Sequence, residues 1–131
     1  MDFMDNIKPG MTREETFSVA DEHTAYHIGS GDERVLGSPW MISFMERVSN
    51  RLILECLPNG YMSVGIHVDV KHLAPTQVGC EVRIKVEIIE IIKKRIILRV
   101  EAWDEIEEIG NGTHTRAVVE KVCFLERAFR K

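Results

Sequence analysis

Residues 79–104 read GCEVRIKVEIIEIIKKRIILRVEAWD, and this stretch decides the fold class. Over residues 80–88 every second side chain is apolar, and the side chains between them are charged. Such alternation predicts an antiparallel strand with one buried face and one face in water. Residues 96–104 alternate again, so the basic run KKR at 93–95 is predicted to be the turn of a β-hairpin.

The residues before this hairpin contain one convincing helix pattern. Ser38 is a suitable N-cap, because its hydroxyl can accept a hydrogen bond from a free N–H of the first turn. Pro39 suits the first helical position, where its missing N–H costs nothing. The apolar residues at helical spacing are Met41, Phe44, Met45, Val48 and Leu52. Residues 58–60 (PNG) are expected to end the helix.

Weaker patterns lie on both sides of this helix. Residues 16–28 have a moderate strand pattern, and residues 29–37 form a glycine-rich loop. Residues 61–74 are predicted to be the strand that follows the helix. The sequence IGNG at 109–112 is predicted to be a hairpin turn with glycine at positive φ, and residues 113–127 are predicted to be the last strand.

The predicted order is a strand, a long helix and four strands joined by short hairpins, in a single domain over residues 1–131. One antiparallel sheet with one helix laid on a face is an α+β fold. A lone helix cannot cover both faces of a sheet, and sheet edges invite pairing with another chain. We therefore expect the protein to dimerise.

Composition excludes several classes of function. The 131 residues carry a net charge of -4, which argues against nucleic-acid binding. The N-terminus has acidic residues where a signal peptide needs basic ones, and no apolar run is long enough to span a membrane. The three cysteines are too sparse for a disulfide framework or a zinc motif, and a cytoplasmic location is expected; they are Cys56, Cys80 and Cys123.

Glu46 is the first residue that could carry chemistry. On the helical wheel its neighbours are Ile42, Ile53 and Leu57. One interpretation is a boundary residue whose carboxylate reaches water. The other is a carboxylate held in a dry cleft, where loss of water makes it more reactive as a base or nucleophile.

His72 and Ser38 are the next candidates. His72 ends the apolar face of the strand GIHVDVKHLAP, residues 65–75, and a ring at the end of a strand can lie at the mouth of a cleft. A satisfied structural histidine is the more common case. Ser38 lies two turns before Glu46, at a helix N-terminus where free N–H groups stabilise negative charge.

Two further pairs of residues contain possible ligands. His114 and Arg116 share one face of the last strand, and the simplest interpretation is an ion pair with one of the many glutamates. His67 and Asp69 share the outer face of their strand. A metal site would need a third ligand, and His72 lies on the other face, so no metal site is predicted.

Three motifs resemble the hotdog-fold acyl-CoA thioesterases, and most closely the fluoroacetyl-CoA thioesterase group. They are VLGSPWMISFME at 35–46, GIHVDVKHLAPTQVG at 65–79 and EIGNGTHTRAV at 108–118. The third motif is fairly specific, whereas the helix motif alone is weak. The resemblance runs from about residue 8 to residue 127.

The resemblance implies a hotdog fold, in which a five-stranded antiparallel sheet wraps around one long central helix. It also implies a homodimer or tetramer with active sites at a subunit interface. The catalytic trio of the family falls on Ser38, Glu46 and His72. Its substrate-contacting residues fall on Gly65 and Arg116. The reaction it implies is hydrolysis of an acyl-CoA thioester without a metal or prosthetic group, CoA being part of the substrate.

The sequence departs from the fluoroacetyl enzyme in two places. That enzyme has threonine where this chain has Ser38, and its phenylalanine lid has no counterpart in residues 29–37. We therefore expect a general short- or medium-chain acyl-CoA substrate, without selectivity for fluoroacetyl-CoA.

Two alternative functions remain open from sequence. Hotdog enoyl-CoA hydratases carry an Asp-x4-His arrangement, whereas here Asp69 precedes His72 by only three residues. A non-catalytic module that binds acyl-CoA is the other alternative, because a fold does not fix a function.

Overall fold

An antiparallel sheet packed on one long helix dominates the structure, which is a computed structural model describing residues 2–131. Within these residues the strands are β1 (Thr12–Ser18), β2 (Tyr61–His72), β3 (Glu81–Ile92), β4 (Arg95–Trp103) and β5 (Glu108–Glu120). The helices are α1 (Ala25–Ile28), α2 (Ser38–Leu54) and α3 (Lys121–Phe129), with 3₁₀ turns at Phe3–Asn6 and Asp21–His23. The strand order across the sheet is β1-β3-β4-β5-β2.

The core lies between α2 and the inner face of the sheet. The alternating apolar residues of β3 and β4 are fully buried, as is the apolar stripe of α2. The hairpin between β3 and β4 turns at Lys93, which has a φ of 57°. The predicted α+β arrangement of a five-stranded antiparallel sheet and one long helix is therefore confirmed.

The strand predicted over residues 16–28 is wrong from residue 19 onward, and the strand that includes residues 16–18 begins earlier, at Thr12. β1 ends at Ser18, and the following residues form a 3₁₀ turn and the short helix α1. The Thr24 side chain accepts a hydrogen bond from the backbone N–H of His27, which caps α1, and Gly29 ends it with a φ of 88°. These local caps outweigh the weak alternation of apolar residues.

The hairpin turn predicted at residues 109–112 is also wrong, because β5 runs through it. The chain turns earlier, where the Asp104 side chain accepts hydrogen bonds from the backbone N–H groups of Ile106 and Glu107. Gly110 and Gly112 lie inside β5, where atoms of neighbouring residues leave no room for a side chain. A Cβ at Gly110 would lie 2.9 Å from the Lys71 carbonyl oxygen.

The last strand is shorter than predicted, and the helix α3 follows it. β5 ends at Glu120, and the residues up to Phe129 form α3. Val122, Leu125 and Phe129 are spaced three and four residues apart, which is the helical period. Because the preceding strand alternates with a period of two, the predicted strand was extended over residues that have the helical period.

β2 lies at one edge of the sheet and pairs with β5 alone. Its register shifts between Gly65 and His67, so that Ile66 is an extra residue. Ile66 is 47% exposed and Val68 is 40% exposed. The apolar face predicted for this strand is therefore only partly buried in one chain.

Candidate active site

The start of α2 and the end of β2 meet in a serine–histidine pair. Gly37 occupies the N-cap position of α2, and Ser38 is its first helical residue. The prediction that Ser38 caps the helix is therefore wrong, and its hydroxyl is used elsewhere. The Ser38 Oγ lies 2.8 Å from the Nδ1 of His72.

The other ring nitrogen of His72 is free. Its Nε2 is buried and has no hydrogen-bond partner among the described residues. Burial lowers the pKa of the His72 imidazole, an effect partly offset by the Ala74 backbone. A neutral imidazole with one uncommitted nitrogen can take up or deliver a proton.

A chamber opens beside this pair and continues to the loop before α2. Its volume is about 380 Å³, which is within the range of small-molecule sites. Apart from Ser38, His72 and Ser30, its lining is backbone and small or aliphatic side chains: Ala25, Val35, Leu36, Gly37, Leu73, Ala74 and Pro75. The chamber therefore presents both polar and aliphatic surface and has room for a small acyl group.

Glu46 lies in a second cluster, at the middle of α2. Its Oε2 is 3.9 Å from Nη1 of Arg116, and its side chain is 41% exposed. Gly65 lies directly opposite Arg116 on β2. A Cβ at Gly65 would lie 2.8 Å from the Glu46 Oε2, so the carboxylate already lies against the strand backbone and leaves no room for a side chain there.

Arg116 is buried and held by polar side chains. Its Nε donates to Ser63 Oγ at 2.8 Å, and its Nη2 donates to the Ser63 carbonyl at 2.9 Å and to Asn50 Oδ1 at 3.4 Å. Its Nη1 lies 3.2 Å from His114 Nε2. Burial lowers the pKa of the guanidinium, an effect partly offset by Glu46. Arg116 is thus a fixed charge beside the only carboxylate that it approaches within the described residues.

Sequence reasoning did not identify Ser63 and Asn50. Ser63 is a polar residue on the inner face of β2, and Asn50 lies about one turn after Glu46 on α2. A polar residue at an inward position is a detectable signal, because buried polar groups require partners.

In one chain the two clusters remain apart. Ser38 and Glu46 are eight positions apart on α2, which corresponds to about 12 Å along the helix axis. Gly65 and His72 are separated by seven positions of β2, or roughly 23 Å. The structure thus joins Ser38 to His72, and Glu46 to Gly65 and Arg116, without joining the two groups.

Two further observations concern metals and membranes. Within residues 2–131, no three histidine, cysteine, aspartate or glutamate side chains are placed to hold a metal ion. No helix in that part of the chain is long and apolar enough to cross a bilayer.

Comparison with known proteins shows a consistent relationship. The family model described as FlK, fluoroacetyl-CoA-specific thioesterase, matches residues 19–122. The fluoroacetyl-CoA thioesterase of Streptantibioticus cattleyicolor is 35% identical over 85 residues, which are 65% of this chain and 61% of that protein. The match therefore spans less than two-thirds of this relative.

Solved structures extend the comparison to the fold. A variant of FlK in complex with fluoroacetate and CoA aligns with a TM-score of 0.86 and 29% identity, over 90% of this chain and 99% of that chain. A hot-dog-like protein from Thermanaerovibrio acidaminovorans aligns with a TM-score of 0.90 and 24% identity, over 99% and 96% of the two chains. The predicted hotdog fold is confirmed.

Proposed function

Since this chain belongs to the fluoroacetyl-CoA-specific thioesterase family, we propose that it hydrolyses a short- or medium-chain acyl-CoA to the free acid and CoA. The observation that carries the proposal is the Ser38–His72 hydrogen bond beside this chamber. There the hydroxyl can position the thioester, the neutral imidazole can take up a proton and pass it to the leaving group, and the chamber can hold the acyl group. The absence of phenylalanine from residues 29–37 is compatible with acyl groups larger than fluoroacetyl.

In the proposed reaction, Glu46 attacks the thioester carbon or activates the water that does. If Glu46 is the base, it draws a proton from the attacking water, the acyl carbon gains the hydroxyl oxygen, and the C–S bond breaks. If Glu46 is the nucleophile, an acyl-glutamate anhydride forms as the C–S bond breaks, and water then attacks its acyl carbon to release the acid and restore the carboxylate. In both routes His72 takes up the proton lost by water and delivers it to the CoA thiolate, and Ser38 orients the reacting group. The backbone N–H of Ser38 and the dipole at the start of α2 stabilise the developing oxyanion. The reaction needs no metal or prosthetic group.

Gly65 and Arg116 are the proposed substrate contacts. Gly65 is exposed and has no side chain, so the thioester arm can approach the strand backbone from the solvent side, beside Glu46. Arg116 is 7% exposed, so its contact with substrate is confined to the Nη1 edge that faces Glu46.

A homodimer would bring the two clusters together. β2 is an edge strand with an exposed apolar surface, and such edges pair with a second copy. If two β2 strands pair antiparallel about a two-fold axis near Val68, the His72 end of one strand lies beside the Gly65 region of the other. Each active site would then combine Ser38 and His72 of one chain with Glu46 of the second copy.

The test is a panel of acyl-CoA esters, from fluoroacetyl and acetyl through medium chains, with release of the CoA thiol as the readout. We expect turnover that peaks at a short or medium chain. Replacing His72 by alanine should lower kcat by about 100-fold or more, which is the usual contribution of a general acid–base.

The matched control is His27→Ala, because this histidine is exposed on α1 and outside the proposed machinery. Tight binding of the esters without turnover would instead support a binding module. Equal rates in wild type and His72→Ala would overturn the proposed role of His72.

Replacing Gly65 by alanine is expected to lower kcat/KM by about 10- to 100-fold while the chain stays folded. The added methyl group would lie 2.8 Å from the Glu46 Oε2 and 3.1 Å from the His114 Cε1. Glu46 can swing toward solvent, so the clash displaces the carboxylate at a cost of roughly 1–3 kcal/mol. Kinetics together with thermal unfolding check this. A variant with unchanged kcat/KM would show that no ligand passes close to Gly65.

A further inference from the structure

His114 is a buried titratable group that the proposed reaction does not use. It is 1% exposed and lies on the inner face of β5, between the edge strand β2 and Arg116. Its Nδ1 lies 2.8 Å from the His67 carbonyl oxygen, and its Nε2 lies 3.2 Å from the Arg116 Nη1. Both ring nitrogens therefore have partners.

These partners assign one protonation state. A guanidinium can only donate, so the His114 Nε2 must accept its hydrogen bond. A carbonyl can only accept, so the Nδ1 must carry the proton. Burial lowers the pKa of His114, the His67 carbonyl partly offsets this, and Arg116 adds to the lowering. The hydrogen bonds thus assign the neutral Nδ1–H tautomer.

The carbonyl partner belongs to the irregular part of β2. His67 is the first paired residue after the register shift that follows Gly65, and such bulges re-aim backbone groups. The His114 ring therefore ties the shifted segment of the edge strand to Arg116.

The donors of Arg116 are almost all committed. A guanidinium has five N–H groups, and Ser63, Asn50 and His114 account for four of them. The fifth is on Nη1, which stands 3.9 Å from the Glu46 Oε2. This separation is longer than a hydrogen bond. Arg116 thus lies close to Glu46 without binding it directly.

We propose that His114 is a positioning residue that holds the Arg116 Nη1 back from Glu46, so that the carboxylate stays available to react. Without the acceptor on His114, a buried N–H would lack a partner, and an unpaired buried donor is costly. The nearest free acceptor is the Glu46 carboxylate. Arg116 would then close onto it as an ion pair and reduce its reactivity. This consequence for catalysis rests on the proposed function, whereas the hydrogen-bond arrangement does not.

The kinetic test compares His114→Met with His114→Gln. The two side chains have similar length, but only glutamine offers an oxygen acceptor near the position of Nε2. We expect His114→Met to lower kcat by about 10- to 100-fold, the equivalent of one hydrogen bond to a charged group, with KM changed less than about threefold. His114→Gln should recover most of the rate.

A double-mutant cycle identifies the route of the effect. If His114 acts through Arg116, adding His114→Met to Arg116→Met should change kcat little further. Multiplicative effects in the cycle, or equal losses in the glutamine and methionine variants, would overturn the proposal.

Two readouts do not depend on turnover. In the wild-type protein, ¹⁵N NMR of the imidazole should show a protonated Nδ1 and an unprotonated Nε2 at pH 7.5, and the opposite tautomer would overturn the proposal. A crystal structure of His114→Met should show the Arg116–Glu46 distance shortened, and that of His114→Gln should not. If wild type hydrolyses no acyl-CoA, the proposed function fails while these readouts still decide the positioning. If His114→Met does not fold, the wild-type tautomer and the glutamine variant decide it.

Discussion

Replacing Glu46 by glutamine is expected to reduce acyl-CoA hydrolysis by about 1,000-fold or more. The amide has nearly the same shape as the carboxylate, but it can neither attack the thioester carbon nor accept a proton from water. A loss of this size corresponds to roughly 4 kcal/mol of transition-state stabilisation. It should appear in kcat, with KM nearly unchanged, because the reacting carboxylate acts mainly in the transition state. Release of the CoA thiol under saturating substrate measures it.

The matched control is Glu90→Gln, which removes an exposed carboxylate from β3 and should leave the rate unchanged. A Glu46→Gln variant that keeps more than a tenth of the wild-type kcat would exclude Glu46 as nucleophile and as base. Acid quenching during a single turnover, followed by mass spectrometry, separates these two roles. An acyl group attached to Glu46 would identify a covalent acyl-glutamate intermediate.

Replacing Gly112 by alanine is expected to lower the free energy of unfolding by about 3 kcal/mol or more. A Cβ at this position would lie 2.6 Å from the Val70 Cα and would also clash with the Asp69 carbonyl. Both obstacles are backbone atoms of the paired strand β2, so neither can give way by a side-chain rotation. Relief requires β2 and β5 to separate locally. Denaturant unfolding measures the loss, which corresponds to a fall in Tm of about 10 °C.

Gly79→Ala provides the control for this substitution. Gly79 has a φ of 93°, but a Cβ there would meet no atom within 4 Å. Its replacement should cost only about 1–2 kcal/mol of backbone strain. If Gly79→Ala proves as destabilising as Gly112→Ala, close packing against β2 is not what requires glycine at residue 112.

Gly110 and Gly112 show where prediction from the sequence fails, whereas the patterns of the sheet and of α2 show where it succeeds. The alternation of apolar residues over 80–104 and the apolar stripe of α2 depend only on local sequence periodicity. Both elements can therefore be predicted without a structure. The sequence predicts a turn at Gly110 and Gly112, because glycine is the usual turn residue. Their real role depends on which backbone lies opposite, and that partner is more than 35 residues away in the sequence.

The candidate site likewise contains features that can be predicted from the sequence and features that cannot. The inward parity of Arg116 and the position of Glu46 beside apolar neighbours on α2 were visible in the sequence. The hydrogen bond between Ser38 and His72 was not, because it depends on how the start of α2 lies against the end of β2. Ser63 escaped notice for a related reason. Only the buried guanidinium that it binds explains a polar residue at that position.

The separation of the two clusters along α2 and β2 has a consequence for the control of activity. In the proposed dimer, each chain carries both the Ser38–His72 pair and the Glu46 cluster, but an active site is complete only when two chains associate. Association would therefore act as an on-switch set by mass action. Specific activity would depend on protein concentration near the dissociation constant of the dimer, and dilution alone would turn the enzyme off without inhibitor or modification.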